Sequence, residues 1–537
     1  MVLFLIVYII YFVYRSMEAM HMLQQNLYNE NNRYLKWTIK NLNKVFVIYD
    51  FIPIIFFVVV LFVKDNQALD IALIASMFVF LFGIYDEYRR NKANQNKLPL
   101  KVTSRIKRLF FTLILLYGAT MVVTIKVKGD YNTVLMLIVL CSLLALLYYI
   151  TFLANILDEP FNKIEYYYYY HKAKKKLNSF NDLKVIGITG SYGKTSSKNI
   201  LNDILSSKYI TRATPKNYNT PYGLMMTINN YLDKFDEILI AEMGAYVPGR
   251  IKKLCDFVHP KYGILTIIGE AHLETFKTKE NICKTKFELI ESLPSDGIAV
   301  LNKDDEYQVN YPLKNKVKVI WIGVDNHEAD VYATNIKCGS FGMSFDCIYD
   351  KDKKVLLKTK LLGKHNIYNI LAGVALGLEM GIDIQDIKSS VASLRATEHR
   401  LELKKVGDIY MLDDAYNSNP IGASSAIDVL NMMHGTKVVV TPGMVELGKL
   451  EKEKNYEFGK KIATVADYCL LVGEKKTKVI YNGLIENGFN EDNIFVLKKV
   501  VDAYPIINAL KENGKDIYAL FENDLPDIYT EGSKDEN

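Results

Sequence analysis

The fold of this chain is indicated by the stretch Thr189-Gly190-Ser191-Tyr192-Gly193-Lys194-Thr195-Ser196. It follows the short apolar run Val185-Ile186-Gly187-Ile188 and precedes a helical pattern. Strand, glycine-rich turn and helix in that order are what a phosphate-binding loop requires, because backbone N–H groups and the helix N-terminus then face the anion. The stretch therefore predicts a nucleotide phosphate site, with Lys194 on the β- and γ-phosphates and Thr195 on Mg²⁺.

The spacing of the two glycines departs from the usual pattern of such a loop. Four residues between them would need glycine at position 188, where the chain has Ile188, so the shorter form G-x-x-G-K-T is present. Taken alone, this form fits either a nucleotide site or a structural glycine turn. The strand before it and the helix after it favour the nucleotide site.

Two further candidate side chains follow apolar runs. Glu242 ends the run at 237–241, and His272 comes shortly after the run at 263–268. Ligands of open α/β sheets bind at the carboxyl ends of the strands, so both are candidates for a Mg²⁺ site. The alternatives are a surface carboxylate and a structural histidine. Downstream, Lys284 and Lys286 lie on an amphipathic helix, where two lysines are usually a solvated face.

After about residue 183, short apolar runs alternate with helical patterns such as those at 367–380 and 453–466. This alternation predicts an α/β architecture with mainly parallel sheets. We expect a first domain over 183–399 and a second over 400–531, because a new strand and helix series begins near Arg400. A short tail follows at 532–537.

The first 157 residues differ from the rest, because they contain apolar segments at 2–14, 45–63, 71–85, 109–125 and 133–155. A transmembrane helix needs about 20 apolar residues, which the second, fourth and fifth segments meet and the first and third do not. We expect an α-helical transmembrane region of about five helices over 1–160 and a linker over 161–182. The first segment lacks the basic start and cleavage site of a signal peptide, so we interpret it as a span or anchor.

Basic residues set the expected orientation of these segments. The loop 86–108 holds eight basic residues and the loop 15–44 holds five. The short loop 64–70 holds one and the short loop 126–132 holds two. The positive-inside rule then places the amino terminus outside and everything after about 157 in the cytoplasm. Lysines within 171–176 are either an ordinary flank or a contact to anionic lipid. Asp50 is expected to reach water or to function within the membrane, and the first is favoured.

Composition excludes other classes of protein. The chain has 66 Lys and Arg against 60 Asp and Glu in 537 residues, a net charge of +6 that does not indicate nucleic-acid binding. Its 6 cysteines are scattered without a C-x-x-C pair. Neither a disulfide scaffold nor a four-cysteine zinc site is expected, and this usage fits a reducing compartment.

The order and spacing of motifs across roughly 183–530 resemble the Mur ligases, the ATP-dependent amino-acid ligases of peptidoglycan precursor synthesis. The resemblance is closest to the branch that adds D-alanyl-D-alanine to UDP-N-acetylmuramoyl-tripeptide. Besides the phosphate loop, it rests on Lys216-Asn217-Tyr218-Asn219-Thr220, Glu242-Met243-Gly244-Ala245, Glu270-Ala271-His272-Leu273-Glu274, Asn302-Lys303-Asp304-Asp305, Gly363-Lys364-His365-Asn366-Ile367-Tyr368-Asn369, Arg400 and Asp413-Asp414-Ala415-Tyr416-Asn417-Ser418-Asn419-Pro420.

The resemblance implies a phosphate-loop central domain, a Rossmann-like C-terminal domain, ATP and Mg²⁺ as cofactors, and roles for particular residues. In this family a lysine on the helix after the histidine is often carbamylated, and Lys286 matches it best, with Lys284 the alternative. The implied nucleotide contacts are Gly190, Ser191, Gly193, Lys194, Thr195, Ser196, Asn366, Asn369, Asp414, Tyr416 and Asn417; the implied metal contacts are Thr195, Glu242, His272 and Lys286; and the implied catalytic set is Lys194, His272, Lys286 and Arg400.

Three departures from the family concern the substrates. Apolar segments stand where family members carry a soluble domain for the UDP-sugar. A Gly-Asp-Met-x-Glu-Leu-Gly stretch and a Lys-Gly-Ser-Arg-like run are both altered in the part that would bind the amine. We therefore expect a ligase with an altered substrate. The two stretches read Thr441-Pro442-Gly443-Met444-Val445-Glu446-Leu447-Gly448 and Phe521-Glu522-Asn523-Asp524-Leu525-Pro526-Asp527.

The expected function is an ATP-dependent acid–amino-acid ligase at the cytoplasmic membrane face. It would activate a UDP-linked or lipid-linked cell-wall precursor as an acyl phosphate and join it to an amino acid or dipeptide. The segments either deliver a lipid-linked precursor or only anchor an enzyme for soluble ones, and the sequence favours neither. Competing functions are another ATP-dependent peptide-forming ligase, against which the Asp413–Pro420 stretch favours the Mur branch, and an inactive membrane nucleotide sensor. The retained Lys194, Glu242, His272 and Arg400 disfavour the sensor. A transporter is disfavoured because no paired repeat halves are apparent.

Overall fold

A computed structural model describes residues 1–93, 99–126, 132–416, 418–445, 447–510 and 515–523. Asn417, Glu446, the stretch 524–527 and the predicted tail at 532–537 lie outside these described residues. The chain divides into two compact units, of which the first is Met1–Tyr168 and the second begins at Tyr169. The predicted domain boundaries remain predictions.

The first unit is helical where it is described, and its core is a cluster of aliphatic and aromatic side chains. The helices are α1 (Val2–Gln25), α2 (Arg33–Lys40), α3 (Leu42–Val45), α4 (Ile48–Val63), α5 (Asn66–Ala93), α6 (Ser104–Lys126), α7 (Asn132–Ala145) and α8 (Leu147–Leu177), with a 3-10 helix at Leu27–Asn32.

Among the described residues, three helices are long and apolar enough to cross a membrane by length and composition: Val2–Gln25, Asn66–Arg89 and Ser104–Thr124. The count is four if Thr133–Ala145 and Leu147–Leu177, which meet at 78°, form one broken span. The first and third apolar segments are too short to span a membrane by themselves. Each belongs to a longer helix, because polar residues continue the helix beyond the apolar run. The second segment forms only the 16 residues of α4, so a count of five is not reached.

Asp50 does not reach water, so the favoured prediction for it is wrong. Its side chain is fully buried, and Arg15 Nη2 donates to Asp50 Oδ2 at 3.0 Å while the Tyr11 hydroxyl donates to Oδ1 at 2.7 Å. The ion pair explains the burial, since a carboxylate leaves water only where a cation and hydrogen bonds replace it.

The second unit contains two sheets, and the first has the strand order β2-β3-β1-β4-β5-β6-β7-β8-β9. It is parallel as far as β7 and antiparallel from β7 to β9. Its strands are β1 (Lys184–Thr189), β2 (Thr211–Ala213), β3 (Ile238–Glu242), β4 (Tyr262–Leu265), β5 (Ile298–Asn302), β6 (Lys318–Gly323), β7 (Val331–Gly339), β8 (Gly342–Tyr349) and β9 (Lys353–Thr359). The helices are α9 (Lys194–Leu205), α10 (Pro221–Asn230), α11 (Arg250–Val258), α12 (Leu273–Phe276), α13 (Lys279–Glu291), α14 (Glu306–Val309), α15 (His365–Glu379) and α16 (Ile384–Ser393).

The second sheet has the order β10-β11-β15-β12-β13-β14 and is parallel except for β10. Together the two sheets confirm the predicted α/β architecture with mainly parallel strands. The elements are β10 (Glu402–Val406), β11 (Ile409–Asp414), α17 (Pro420–Asn431), β12 (Thr436–Thr441), α18 (Glu451–Ala463), β13 (Tyr468–Val472), α19 (Glu474–Glu486), β14 (Ile494–Leu497), α20 (Ala503–Ala509) and β15 (Ile517–Glu522), with 3-10 helices at Gly448–Leu450, Glu491–Asn493 and Val500–Asp502.

Close packing of α9 on α15 positions the phosphate loop. One face of α9 carries buried Ile200 and Ile204, which belong to the core of the first sheet. A Cβ at Gly373 of α15 would lie 2.6 Å from Ile204 Cδ1, so only glycine lets the two helices approach this closely. The helix that begins at Lys194 is thereby held against the helix that carries Asn366 and Asn369.

We expect Arg15→Met to destabilise the first unit by about 3–5 kcal/mol, because it leaves the Asp50 carboxylate buried without its cation. The double variant Arg15→Met/Asp50→Leu should recover most of that loss. Unfolding followed by Trp37 fluorescence in a Trp321→Phe background reports the first unit alone, since the chain has 2 tryptophans. A double variant no more stable than Arg15→Met would contradict the assignment of an ion pair.

Candidate functional site

A cavity of about 280 Å³ lies at the carboxyl ends of strands β1, β3 and β4. Its first wall is the phosphate loop with Glu242 and His272, and its second wall comes from the second sheet and includes Arg400 and Asp414. A larger groove of about 580 Å³ lies at the amino ends of β1 and β3 and contains none of the predicted site residues. The smaller cavity is therefore the candidate site.

The loop before α9 has the backbone that phosphate binding needs. Gly190 has φ +149°, and a Cβ there would lie 1.9 Å from Thr266 Oγ1; Gly193 has φ +79° and caps α9. Both positions thus require glycine. Lys194 Nζ donates to the carbonyls of Gly190 at 2.8 Å and Ser191 at 3.1 Å, so the ammonium lies across the loop. Burial lowers the pKa of Lys194 to about 8, with Arg400 contributing in the same direction.

Glu242 is the centre of the first wall and is buried, with 1% of its surface exposed. Its Oε2 accepts from Thr195 Oγ1 at 3.0 Å and from Lys198 Nζ at 3.1 Å, and its Oε1 accepts from Asn219 Nδ2 at 3.0 Å. A carboxylate and a hydroxyl that converge beside a phosphate loop are oxygen ligands of the kind Mg²⁺ takes along with phosphate oxygens. Thr195 and Glu242 therefore fit a Mg²⁺ site.

His272 lines the same cavity as Glu242. It has φ +58° at the start of α12, and its ring packs on Tyr246 with centroids 4.4 Å apart. In the described parts of the chain, no three His, Cys, Asp or Glu side chains form a metal cluster. A metal here would thus depend on Thr195, Glu242 and the nucleotide, with His272 lining the same cavity.

The two lysines of α13 have opposite environments. Lys284 is exposed, whereas Lys286 has only 3% of its surface exposed. Its Nζ lies 6.0 Å from the centroid of the Phe276 ring. Burial holds the pKa of Lys286 well below its usual range, and the nearby Lys194 ammonium lowers it further. Lys286 is not part of a solvated face, and its environment favours the neutral amine over the ammonium.

Asn366 and Asn369 both lie at the start of α15 and are buried. Asn369 lines the cavity, accepts from Ser197 Oγ at 2.6 Å and donates to Asn366 Oδ1 at 3.1 Å. Asn366 in turn donates to the Leu362 carbonyl at 2.8 Å. Asn369 therefore faces a ligand directly, while Asn366 holds the Asn369 side chain in place.

The second wall brings Arg400 over the Tyr416 ring, with its Cζ 4.3 Å from the centroid. Asn217 Nδ2, which belongs to the first wall, donates to the Tyr416 hydroxyl. Burial raises the pKa of Asp414 to about 6 although Arg400 opposes the shift. Asn417, predicted beside these residues, lies outside the described residues.

Sequence reasoning gave no role to several residues that the structure places at this site. Lys198 comes one helical turn after Lys194, and its spacing in α9 was the available signal. His365 lines the cavity, and burial together with Arg400 lowers its pKa to about 4. Asn219 was part of a recognised motif without an assigned function. No sequence motif pointed to Glu522, because it lies in the stretch that departs from the Lys-Gly-Ser-Arg-like run of the family.

Comparisons with known proteins agree with this geometry. Residues 188–377 match the model of the Mur ligase middle domain. The chain is 32% identical over 337 residues to the UDP-N-acetylmuramoyl-tripeptide–D-alanyl-D-alanine ligase of Escherichia coli strain K12, covering 62% of this chain and 74% of that protein. The Bacillus subtilis strain 168 ligase of the same name is 29% identical over 334 residues, covering 62% and 70%.

Solved structures show the same likeness. The structure of the MurF ligase of Thermotoga maritima in complex with ADP superposes with a TM-score of 0.59 at 26% identity, covering 68% of this chain and 81% of that one. A MurF structure from Acinetobacter baumannii gives a TM-score of 0.60 at 25% identity, covering 66% and 76%.

We expect Gly190→Ala to abolish high-affinity nucleotide binding, because the added Cβ overlaps the Thr266 hydroxyl and moves the loop. Gly249→Ala is the matched control, since Gly249 also has a positive φ, +78°, but has open space around its Cβ position. The control should cost about 1–2 kcal/mol of stability for the left-handed backbone and keep its ADP affinity. Calorimetric titration with ADP measures both. Equal ADP affinity in the two variants would contradict the assignment of the loop.

Proposed function

We propose a specific reaction on the premise that this chain belongs to the Mur ligase family and is an ATP-dependent ligase that forms amide bonds. The reaction joins an amino acid or dipeptide to a peptidoglycan precursor, through an acyl phosphate, at the cytoplasmic face of a membrane. The observation that carries the proposal is the cavity in which the phosphate loop, Glu242 and Arg400 meet. The relatives named above act on UDP-N-acetylmuramoyl-tripeptide and D-alanyl-D-alanine, which makes these the first substrates to test.

The chemistry follows from the poor reactivity of a carboxylate as an acyl donor. A donor carboxylate oxygen attacks the γ-phosphorus of ATP, the bond to ADP breaks, and an acyl phosphate forms. The amine nitrogen then bonds to the acyl carbon, the bond from that carbon to the phosphate oxygen breaks, and the nitrogen loses a proton as phosphate leaves. Lys194 and the N–H groups of the loop bind the phosphates, and Arg400 reaches the γ-phosphate from the second wall.

A divalent cation would be held by Thr195 and Glu242, with His272 further along the cavity, and when bound it neutralises phosphoryl charge. When no cation is bound, the Lys198 ammonium compensates the charge of the buried Glu242 carboxylate, from which it lies 3.1 Å away. The walls exclude water, which would otherwise hydrolyse the acyl phosphate.

Lys286 is proposed to act as a carbamate. A neutral amine reacts with CO₂, and the burial of Lys286 beside Lys194 keeps its amine neutral. The carbamate carries a negative charge, so the Lys194 ammonium that disfavours a charged lysine would stabilise it. Its oxygens would orient Lys194 or a metal at the first wall.

The membrane location rests on the apolar helices of the first unit. Three of them reach the length of a span, and they occupy the part of the chain where family members carry a domain for the UDP-sugar. Two versions of the proposal follow. In one, the helices bring the enzyme a lipid-linked precursor; in the other, they only anchor an enzyme for UDP-linked precursors.

Phosphate release from ATP by the protein in lipid nanodiscs separates these versions. One reaction receives UDP-linked muropeptides and another a lipid-linked pool, each with mixed amino acids and dipeptides, and Lys194→Ala is the blank. Turnover with only the lipid pool supports a membrane-delivered substrate, and the mass gain of the product identifies the amine. Turnover with the UDP-linked pool makes the helices an anchor. Bound ATP without turnover in either pool would refute the proposed reaction and favour a nucleotide sensor or an unrelated substrate.

We expect Lys286→Met to lower the turnover number by about a hundredfold or more, because it removes the carbamate and its negative charge from the phosphoryl site. Lys284→Met, two residues away on the exposed face, is the control and should keep full activity. Protein equilibrated with ¹³C-bicarbonate should give a carbamate carbon signal that Lys286→Met lacks. A signal that persists in Lys286→Met, or equal activity of the two variants, would rule out the carbamate.

A further inference from the structure

The amino-terminal edge of the first sheet carries exposed apolar side chains that the proposed reaction does not use. Ile210 directly precedes β2, and Phe235 lies in the turn before β3. Tyr231 ends α10 and begins that turn, and all three side chains are exposed. The Ile210 carbonyl accepts from the Glu237 N–H at 2.8 Å, which brings the two segments together. With Lys234, the three exposed residues form what we call the basal patch.

The lysine of the basal patch carries an uncompensated charge. Its Nζ lies 4.8 Å from the centroid of the Phe235 ring. Within the part of the chain that the structure describes, Lys234 forms no ion pair, because the neighbouring carboxylates are engaged elsewhere. Asp236 accepts from Arg212 Nε at 3.1 Å, and Asp233 Oδ1 accepts from the Phe235 N–H at 3.2 Å. A cation beside exposed apolar groups is thus available to an outside partner.

The end of α8 brings further lysines to the same edge. From Tyr169 onward this helix belongs to the second unit, and it packs there through Tyr170, whose ring lies 4.8 Å from that of Phe257. Lys176, further along the helix, lines the groove of about 580 Å³ together with Lys234 and Phe235. Two more lysines of this stretch are exposed: Lys172 and Lys175.

The composition of this edge indicates the chemistry of its partner. Aromatic and aliphatic side chains next to lysines are typical of surfaces that enter the headgroup region of a bilayer. Anionic lipid attracts each lysine that lies near the surface. A stable protein interface buries about 800 Å² on each partner, which is more than three partly exposed side chains offer. A lipid surface therefore fits the basal patch better than a protein does.

The catalytic cavity lies at the opposite edge of the sheet. Strand β1 runs from Lys184, which lines the groove, to Thr189, which precedes the phosphate loop. Contact with lipid at the amino-terminal edge would leave the cavity open to ATP. The six residues of β1 would hold the phosphate loop about 20 Å from that contact.

We propose that the basal patch docks the second unit on an anionic bilayer surface. Ile210, Tyr231 and Phe235 enter the headgroup region, and Lys234 binds lipid phosphates. This inference rests on the proposed membrane location of the enzyme and adds a second contact to it. The docked unit holds its active site at a fixed height above the lipid, where it can meet both soluble ATP and a precursor that reaches up from the membrane.

Fluorescence quenching in reconstituted vesicles tests the docking. The full-length protein carries Trp37→Phe, Trp321→Phe and Phe235→Trp, so that its tryptophan emission reports the patch alone. The vesicles contain phosphatidylglycerol with brominated acyl chains. We expect most of the emission to be lost relative to unbrominated vesicles of the same composition, since the indole reaches the acyl boundary.

Phe341→Trp in the same background is the matched control. Phe341 lies between β7 and β8, toward the other end of the sheet, and has 66% of its surface exposed against 65% for Phe235. Its emission should not change with bromination. Equal quenching at the two positions would overturn the docking, because exposure alone would then explain it.

The charge of Lys234 gives a second readout, obtained from the quenching as the phosphatidylglycerol content is varied. Lys234→Gln should weaken docking by about fivefold, the contribution of one lysine near an anionic surface. Lys358→Gln, an exposed lysine on β9, is the control and should not weaken it. Raising the salt from about 0.1 M to about 1 M should reduce the quenching, because the Debye length falls from about 10 Å to about 3 Å. Equal quenching in phosphatidylcholine alone would refute the need for anionic lipid.

Other occupants of the patch give different signals. Emission of the Phe235→Trp variant that shifts to the blue without quenching would place a protein on the patch, such as a second copy of the chain. Unshifted and unquenched emission would leave the patch in water. Either result overturns the docking. ADP affinity equal to that of the unmodified protein shows that the variants are folded, because the patch lies away from the cavity.

Failure of the docking also differs from failure of the membrane location on which it rests. An alkaline wash removes proteins that are bound only to the surface of a vesicle. Protein lost in this wash would refute the membrane location. Protein that is retained, with unquenched emission from Phe235→Trp, would keep the membrane location and refute the docking alone.

Discussion

The negative charge of Glu242 is the constraint on which the site depends. A carboxylate that is 1% exposed needs a partner for each oxygen, and Thr195, Lys198 and Asn219 supply them. These three come from the first turns of α9 and from the segment before α10, so one buried charge holds the phosphate loop, the end of β3 and that segment together. The glycine at 373 lets α15 close on the other side of α9, which brings Asn369 to the same cavity.

Much of this first wall could be predicted from the sequence, because its residues lie in short local patterns. The loop at 189–196 and Glu242 follow strands that are apolar throughout, and the carboxyl ends of parallel strands meet at one edge. Lys286 was matched by motif, but its burial could not be predicted, since two lysines on a helix usually face solvent. Lys198 was missed because its partner, Glu242, lies 44 residues away and only the fold brings them together.

The second wall and the first unit were harder to predict for a different physical reason. The register of β11 with β15 pairs Asp414 with Glu522 across more than a hundred residues, and nothing in either local sequence indicates it. Hydropathy located all the apolar segments but misjudged the length of their helices, because α1 and α5 continue through polar residues beyond the apolar runs. The environment of Asp50 was misjudged because its partner, Arg15, lies on another helix.

The Arg15–Asp50 pair also has a consequence for biogenesis. Membrane helices are inserted in the order in which the ribosome makes them, and the helix that carries Arg15 emerges before the residue that neutralises it. In a bilayer, a lone guanidinium within a span is unfavourable by about 2.5–3.5 kcal/mol. On the proposed membrane location, the charge of Arg15 in α1 is therefore compensated only once α4, which carries Asp50, has been synthesised. On that location, the Asp50 carboxylate would stabilise the first helix during assembly as well as in the finished protein.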